Sequence, residues 1–182
     1  MACRHVVRNG MQYTFAILKP DVACNSLARE SLLSVIEANG FQIVRIKRTR
    51  MSLELAKEFY SEHKTKFFYN RLTTFMSSSQ IYALILAKND AINSWRSLIG
   101  KANVYRTIYS DPDCLRSRFG LTDTRNAVHG SDSELTVRRE ASYFFPDFFA
   151  SSNENWKRGE VGDNLGIDTK HTSYNNNDNN LK

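Results

Sequence analysis

The chain has few cysteines, prolines and glycines and no long hydrophobic run. Its 182 residues include 3 Cys, 3 Pro and 8 Gly, which excludes a disulfide-built scaffold and any collagen-like or proline-rich architecture. The cysteines, Cys3, Cys24 and Cys114, form no C-x-x-C pair, so we expect neither a zinc finger nor an oxidising compartment. The apolar run at 82–87 is far shorter than the roughly 20 residues that cross a bilayer. The sequence therefore predicts no membrane span.

What the chain does have is an excess of positive charge. Lys and Arg total 25 against 19 Asp and Glu, a net charge of +6. Residues 151–182 are Asn-rich and slightly acidic, so the excess lies in 1–150. We predict an N-terminal segment at 1–11, one domain at 12–150 and a disordered tail at 151–182. Because the first residues are basic and lack acids, we expect a cytoplasmic or mitochondrial location.

The spacing of apolar residues alternates between strand and helix periods. The order β-α-β-αα-β-α-β-α contains two split βαβ units, which indicates an α/β fold: a ferredoxin-like α+β sandwich with a four-stranded antiparallel sheet and covering helices. The long connection 101–125 has one predicted helical turn near 103–108. The basic segment 45–50 is interpreted as the solvated side of an edge strand. The predicted strands are 13–18, 41–46, 80–87 and 126–129, and the predicted helices are 26–39, 52–63, 67–76, 90–99 and 133–145.

The strongest chemical signal lies at 126–133. His129 ends a short strand beside the flexible Gly130. Ser131 and Glu134 have the spacing of a capping box, so we expect a helix to begin just after the histidine. A helix N-terminus attracts anions such as phosphate, and an imidazole there can act as a nucleophile near neutral pH. A single histidine is nevertheless more often a packing or surface residue.

The residues Asn126-Ala-Val-His-Gly-Ser-Asp-Ser133 resemble the N-x-x-H-G-S-D-S signature of the nucleoside diphosphate kinases, in which the histidine is transiently phosphorylated. The resemblance covers about 12–148, implies a ferredoxin-like fold, and is greatest to the divergent nucleoside diphosphate kinase 6 subgroup. Other blocks similar to the family follow in its order: 14–21 with its Lys-Pro-Asp, Phe59-Tyr60, Phe67-Phe68, 96–100, Leu115-Arg116 and Glu140. The blocks most similar to the subgroup are 67–72, 90–92 and 119–125.

The resemblance implies a ping-pong reaction. In it, His129 takes the γ-phosphoryl group of a nucleoside triphosphate and passes it to a nucleoside diphosphate. The resemblance also implies Mg²⁺, held mainly by nucleotide phosphates rather than by a protein metal site. The residues that it implies for catalysis are His129, Lys19, Tyr60, Ser131 and Glu140. Those that it implies for nucleotide binding are Lys19, Phe68, Arg96, Arg116 and Asn126.

Each implied residue has a role. Lys19 would contact the transferred phosphoryl group and a ribose hydroxyl, and Asn126 would bind the ribose. Tyr60 would lie close to the histidine, and Phe68 would stack on the base. Arg96 and Arg116 would bind the phosphates. Ser131 and Glu140 would orient the imidazole.

Three features depart from the family pattern: residue 102, the loop 100–116 with the residue that follows it, and the Asn-rich tail, which has no counterpart in compact family members. Ala102 replaces the usual Thr, which removes a hydroxyl contact and predicts a loss of roughly ten- to a hundredfold in affinity or rate. The loop 100–116 is longer than usual, and Ser117 stands where Gly is common. Because that loop supports subunit contacts in the family, we expect a smaller assembly or a monomer rather than the family hexamer.

Two other functions remain as alternatives. The domain could be a weakly active or inactive kinase-like module that binds a protein partner, which the departures above motivate. The positive charge also suggests a nucleic-acid-binding module, but the aromatic RNA-binding signature is missing, so we expect no specific nucleic acid partner. The histidines outside the motif, His5, His63 and His171, are interpreted as structural or surface residues.

Overall fold

A computed structural model describes residues 10–149, and its centre is a four-stranded sheet. The strand order is β2-β3-β1-β4, and every pair of neighbours is antiparallel. The predicted ferredoxin-like architecture is therefore confirmed. The strands are β1 (Gln12–Leu18), β2 (Gln42–Arg50), β3 (Gln80–Lys88) and β4 (Val128–Gly130). β2 lies at one edge, so the basic segment 45–50 belongs to an edge strand, as predicted.

The helices follow the predicted order, with additions in the connections. Short polar side chains accept hydrogen bonds from first-turn amides at four starts: Asn25 from Ala28, Ser52 from Leu55, Asn103 from Arg106 and Ser133 from Thr136. The helices are α1 (Pro20–Ala23), α2 (Ser26–Ala38), α3 (Leu53–Phe59), α4 (Tyr69–Ser78), α5 (Ala91–Ile99), α6 (Val104–Ser110), α7 (Leu115–Phe119) and α8 (Glu134–Ser142). A 3₁₀ turn (Ser61–His63) lies between α3 and α4.

Helices cover both faces of the sheet. Successive side chains of β1 point to opposite faces, so each face of this strand packs against its own set of helices. Phe15 and Ile17 pack in a cluster with residues of α3, α4 and α8. Ala16 and Leu18 pack in a second cluster with residues of α2 and α5. The central strands β1 and β3 are thus buried on both faces, and their ends form a rigid base for side chains that follow them.

Three differences from the sequence prediction concern short elements. The helices α1 and α7 are absent from the prediction, because four or five residues are too few to show a helical period. The predicted helix 52–63 is α3 followed by the 3₁₀ turn. β2 continues to Arg50, beyond the predicted end at 46.

The predicted N-terminal segment lies almost wholly outside the described residues, and the predicted tail at 151–182 lies entirely outside them. Between residues 10 and 149, none of the helices has the length and hydrophobicity needed to cross a membrane.

Candidate active site

The site lies where β1 and β4 end side by side. Ile17 is the register partner of His129, so Lys19, two residues beyond Ile17, comes close to the start of β4. The backbone N–H of Lys19 donates to the carbonyl of Ala127 at 2.8 Å. Sheet pairing alone therefore brings Lys19 and His129, which are far apart in the sequence, to one edge.

The imidazole of His129 is held by a buried carboxylate. Its Nε2 lies 2.7 Å from Oε2 of Glu140, and the Ser131 hydroxyl donates to the same oxygen at 2.6 Å. Glu140 is 1% exposed. Burial alone would raise the pKa of Glu140, but the charge of His129 and the hydrogen bonds from His129 and Ser131 hold that pKa below its ordinary value. A carboxylate can only accept, so Nε2 carries a hydrogen in this contact. When the ring is neutral, Nδ1 therefore keeps its lone pair.

The backbone of the histidine is held from the other side of β4. The indole Nε1 of Trp95 donates to the carbonyl of His129 at 3.2 Å. Trp95 is fully buried, and it fits because residue 130 is glycine: a Cβ on Gly130 would lie 2.5 Å from the indole ring. Sequence reasoning missed Trp95, since its only signal was an apolar position on an amphipathic helix.

Lys19 is a buried cation beside the histidine strand. It is 5% exposed, and its Nζ donates to Oδ1 of Asn126 at 2.6 Å and to the carbonyl of Thr124 at 3.4 Å. Burial, followed by the positive charge of Arg116, lowers the pKa of Lys19 from 10.5 to about 7. An anion brought to this point would stabilise the charged form of Lys19.

Two arginines lie close to this lysine. Arg116 donates to the carbonyls of Gly100 at 2.7 Å and Val128 at 3.1 Å, while its buried Nε has no partner in the described residues. Burial, and then the charge of Arg96, lower the pKa of Arg116 to about 10. Arg96 is exposed, in the last turn of α5. Like charges gathered in this way favour a polyanionic ligand.

A strained backbone position fixes the segment that precedes the histidine. Ala127 has a φ of 66°, which residues with a side chain rarely adopt. Its N–H donates to Oδ2 of Asp21 at 3.0 Å, and its carbonyl accepts from Lys19. This conformation costs about 1–3 kcal/mol, and such strain is concentrated at functional sites.

An aromatic wall borders the site. Tyr60 lies at the end of α3 with its ring centroid 6.0 Å from that of His129, and its buried hydroxyl has no partner in the described part of the chain. Burial raises the pKa of that hydroxyl. The ring of His63 lies 6.3 Å from Tyr60 and 5.6 Å from Phe68. Phe68 is half-buried, whereas Phe67 is 89% exposed, so Phe68 is the better-fixed platform.

All nine predicted site residues lie within 10–149. Direct contacts join His129 with Tyr60, Ser131 and Glu140, and Lys19 with Asn126, while charge interactions link Arg96, Arg116 and Lys19. Phe68 is connected to Tyr60 through His63. The ribose role predicted for Asn126 stays a prediction. Its amide is already bonded to Lys19 and to the carbonyls of Ala102 and Asp123.

One sequence expectation was wrong. Ser131 does not cap α8: its hydroxyl is bonded to Glu140, and the cap is Ser133, which accepts from the amide of Thr136 at 3.2 Å. The capping-box spacing pointed to Ser131 because Glu134 follows three residues later, whereas Ser133 is followed at that distance by Thr136, and only the fold shows that Ser133 is the cap. The positive surroundings of His129 thus come from Lys19 and the arginines rather than from a cap at Ser131.

The side chains of the site are suited to a metal ion that enters already bound to the ligand. In the stretch covered by the structure, no group of three or more His, Cys, Asp or Glu side chains could hold a metal ion. The side chains that converge are instead cations, which suit phosphate oxygens. A divalent ion would therefore be held mainly by the phosphates of a bound nucleotide.

Comparison with known proteins agrees with this geometry. The family model "Nucleoside diphosphate kinase" matches residues 12–149. Nucleoside diphosphate kinase 6 of Mus musculus is 45% identical over 150 residues, which cover 82% of this chain and 78% of that protein. The Aquifex aeolicus nucleoside diphosphate kinase structure has a TM-score of 0.70 and 34% identity, and the match covers 74% of this chain and 95% of that one.

A halophilic relative was solved with a nucleotide. The nucleoside diphosphate kinase from Halobacterium salinarum, in complex with CDP, has a TM-score of 0.69 and 31% identity. That match covers 75% of this chain and 88% of the other. The fold, the histidine motif and the matched family model lead to one conclusion: this chain belongs to the nucleoside diphosphate kinase family.

Proposed function

We propose that the protein is an active nucleoside diphosphate kinase that uses His129 as its phosphoryl carrier. The observation that carries this proposal is the hydrogen bond between Nε2 of His129 and Glu140, which leaves the lone pair on Nδ1, beside a group of three cations. A nucleophile with a fixed tautomer next to a polycationic cleft suits attack on a phosphoryl group.

In the first half-reaction, Nδ1 of His129 attacks the γ-phosphorus of a nucleoside triphosphate. The N–P bond forms as the bond between the γ-phosphorus and the β–γ bridging oxygen breaks, and the nucleoside diphosphate leaves with that oxygen. Glu140 keeps the hydrogen on Nε2 and stabilises the positive charge that develops on the ring. In the second half, a terminal oxygen of another nucleoside diphosphate attacks the phosphorus, and the N–P bond breaks.

The cations supply the remaining stabilisation. Lys19 is nearly excluded from water and Arg116 is half-buried, so their interaction with phosphate oxygens is stronger than at an exposed site. The unpartnered Nε of Arg116 and hydroxyl of Tyr60 are donors available to a ligand. Mg²⁺ bound to the nucleotide would neutralise further phosphate charge. Phe68 offers a ring surface to a base, which predicts broad base tolerance.

Steady-state kinetics tests the proposal. Initial rates with varied triphosphate at several fixed diphosphate concentrations should give parallel double-reciprocal lines, the pattern of a ping-pong reaction. His129→Asn should abolish transfer. His171→Asn, a matched change at a histidine outside the family-matched residues 12–149, should retain it. Intersecting lines, or activity kept in His129→Asn, would contradict a phosphohistidine carrier.

A second candidate, protein-partner binding, is favoured by one feature. Tyr105, Ile108 and Tyr109 present an exposed apolar stripe on α6, within the long loop. If binding is the main function, a Tyr109→Ser variant should lose partner capture while phosphoryl transfer in the wild type is negligible. Wild-type turnover of tens per second would make this candidate unnecessary.

A further inference from the structure

Arg139 lies beside the catalytic carboxylate but has no role in the chemistry described so far. Glu140 uses Oε2 for His129 and Ser131, and its other oxygen, Oε1, lies 3.6 Å from the Arg139 guanidinium. The carboxylate is therefore engaged on both oxygens. A carboxylate held at both ends cannot rotate away from the imidazole without losing a contact.

The guanidinium of Arg139 is itself held by a second acid. Its Nη2 lies 3.4 Å from Oε2 of Glu62, in the 3₁₀ turn that follows Tyr60. The side chain of Arg139 is 39% exposed and that of Glu62 is 49% exposed, so the pair adds little to stability by itself. Glu140, in contrast, is buried, and a charge beside it acts with little screening. We therefore expect removal of the Arg139 charge to change the pKa of Glu140.

We propose that Arg139 is a positioning residue for phosphoryl transfer: it acts through Glu140, and Glu62 holds its guanidinium in place. This inference rests on the proposed function. In the described residues, the titratable groups facing Glu140 are His129 from β4, Tyr60 from the end of α3 and Arg139 from α8 itself. Of these, Arg139 alone carries a permanent positive charge, so it favours the ionised form of Glu140.

A neighbouring contact supplies a matched control. One turn after Arg139, just past the end of α8, the Tyr143 hydroxyl donates to Oε1 of Glu58 on α3 at 3.1 Å. This bond joins α8 to the same region as the Arg139–Glu62 pair without touching Glu140. Tyr143→Phe therefore removes one hydrogen bond between the end of α8 and α3 and leaves the contacts of the Glu140 carboxylate unchanged.

The first measurement needs no activity. Titration of the Glu140 carboxyl carbon by NMR in the free full-length protein should show a pKa higher in Arg139→Gln than in the wild type, by about 0.3–0.5 pH unit. Arg139→Lys should restore most of the difference, and Tyr143→Phe should change nothing. Gln keeps a polar side chain and the helix propensity while removing the charge, and Arg139→Lys provides a folded comparison if the neutral variant is unstable.

The second measurement follows turnover. Arg139→Gln should reduce kcat about three- to tenfold, the loss expected for one hydrogen-bond-sized contact, with little change in KM. The acid limb of the pH profile should move to higher pH, because Glu140 then keeps a proton more readily. Tyr143→Phe should leave the acid limb in place.

Distinct outcomes separate this inference from the proposed function. If Arg139→Gln leaves the Glu140 titration at its wild-type value, or if Tyr143→Phe shifts it equally, Arg139 is not a positioning residue. If the wild-type protein transfers no phosphoryl group, the proposed function is wrong, and the NMR titration still decides whether Arg139 controls Glu140.

Discussion

Replacing the buried lysine should make the protein more stable and less active. Lys19 is 5% exposed, and its pKa falls from 10.5 to about 7, mainly because burial disfavours the charged amine. A shift of that size corresponds to about 4–5 kcal/mol of unfavourable free energy for the charged form. Lys19→Met removes this term, but it also removes the hydrogen bonds to Asn126 and Thr124. We expect a net gain of about 1–3 kcal/mol in the free energy of unfolding at pH 7.

The advantage of the variant should depend on pH in a definite direction. Between pH 7 and 10.5 the unfolded chain still binds the Lys19 proton while the folded protein has released it, so wild-type stability rises with pH in this window. The gain of Lys19→Met over the wild type should therefore shrink from pH 7 to pH 10. Urea denaturation at several pH values measures it, and phosphoryl transfer should fall by about two to three orders of magnitude. A variant that is less stable at pH 7 and equally active would refute the assigned burial and role of Lys19.

Three further changes test other parts of the site. Phe68→Ala should raise KM for nucleotides by roughly five- to a hundredfold, whereas Phe67→Ala, at the exposed neighbour, should leave KM within about twofold; equal effects would reject Phe68 as the platform. Gly130→Ala should destabilise the fold by about 1–3 kcal/mol in urea denaturation, because its Cβ would collide with Trp95. Glu140→Gln should reduce kcat roughly ten- to a hundredfold. The pKa of Glu140 is lowered in the folded state, so the ionised carboxylate stabilises the fold at neutral pH, and this stabilisation is lost as the pH falls through the folded-state pKa. The free energy of unfolding of Glu140→Gln should therefore depend less on pH in the acid range than that of the wild type.

The fold was predictable because its signals are periodic. Long apolar patterns marked β1, β3, α2 and α5, and their order indicated a split βαβ sandwich. The short α7 carries no such pattern: its N-cap, Cys114, makes no side-chain capping bond. Its position depends on tertiary contacts that composition does not encode.

The site was predictable where its residues form a linear motif and unpredictable where the fold brings them together. His129 and Ser131 were found from the signature, and Glu140 from a separate block similar to the family. Trp95 and Arg139 were not, because neither residue type is unusual on an amphipathic helix. Their roles follow from β-strand pairing and from the packing of α8 against the 3₁₀ turn. The mitochondrial or cytoplasmic location and the smaller assembly stay predictions.

Labelling by γ-³²P-ATP tests the central claim most directly. Wild-type protein incubated with labelled ATP and Mg²⁺ should retain acid-labile label, as a phosphohistidine does, and unlabelled nucleoside diphosphate should remove that label as nucleoside triphosphate. His129→Ala should remain unlabelled, while the matched His171→Ala, outside the family-matched residues 12–149, should label normally. Absence of label on the wild type, or label retained on His129→Ala, would contradict the account that His129 carries the phosphoryl group.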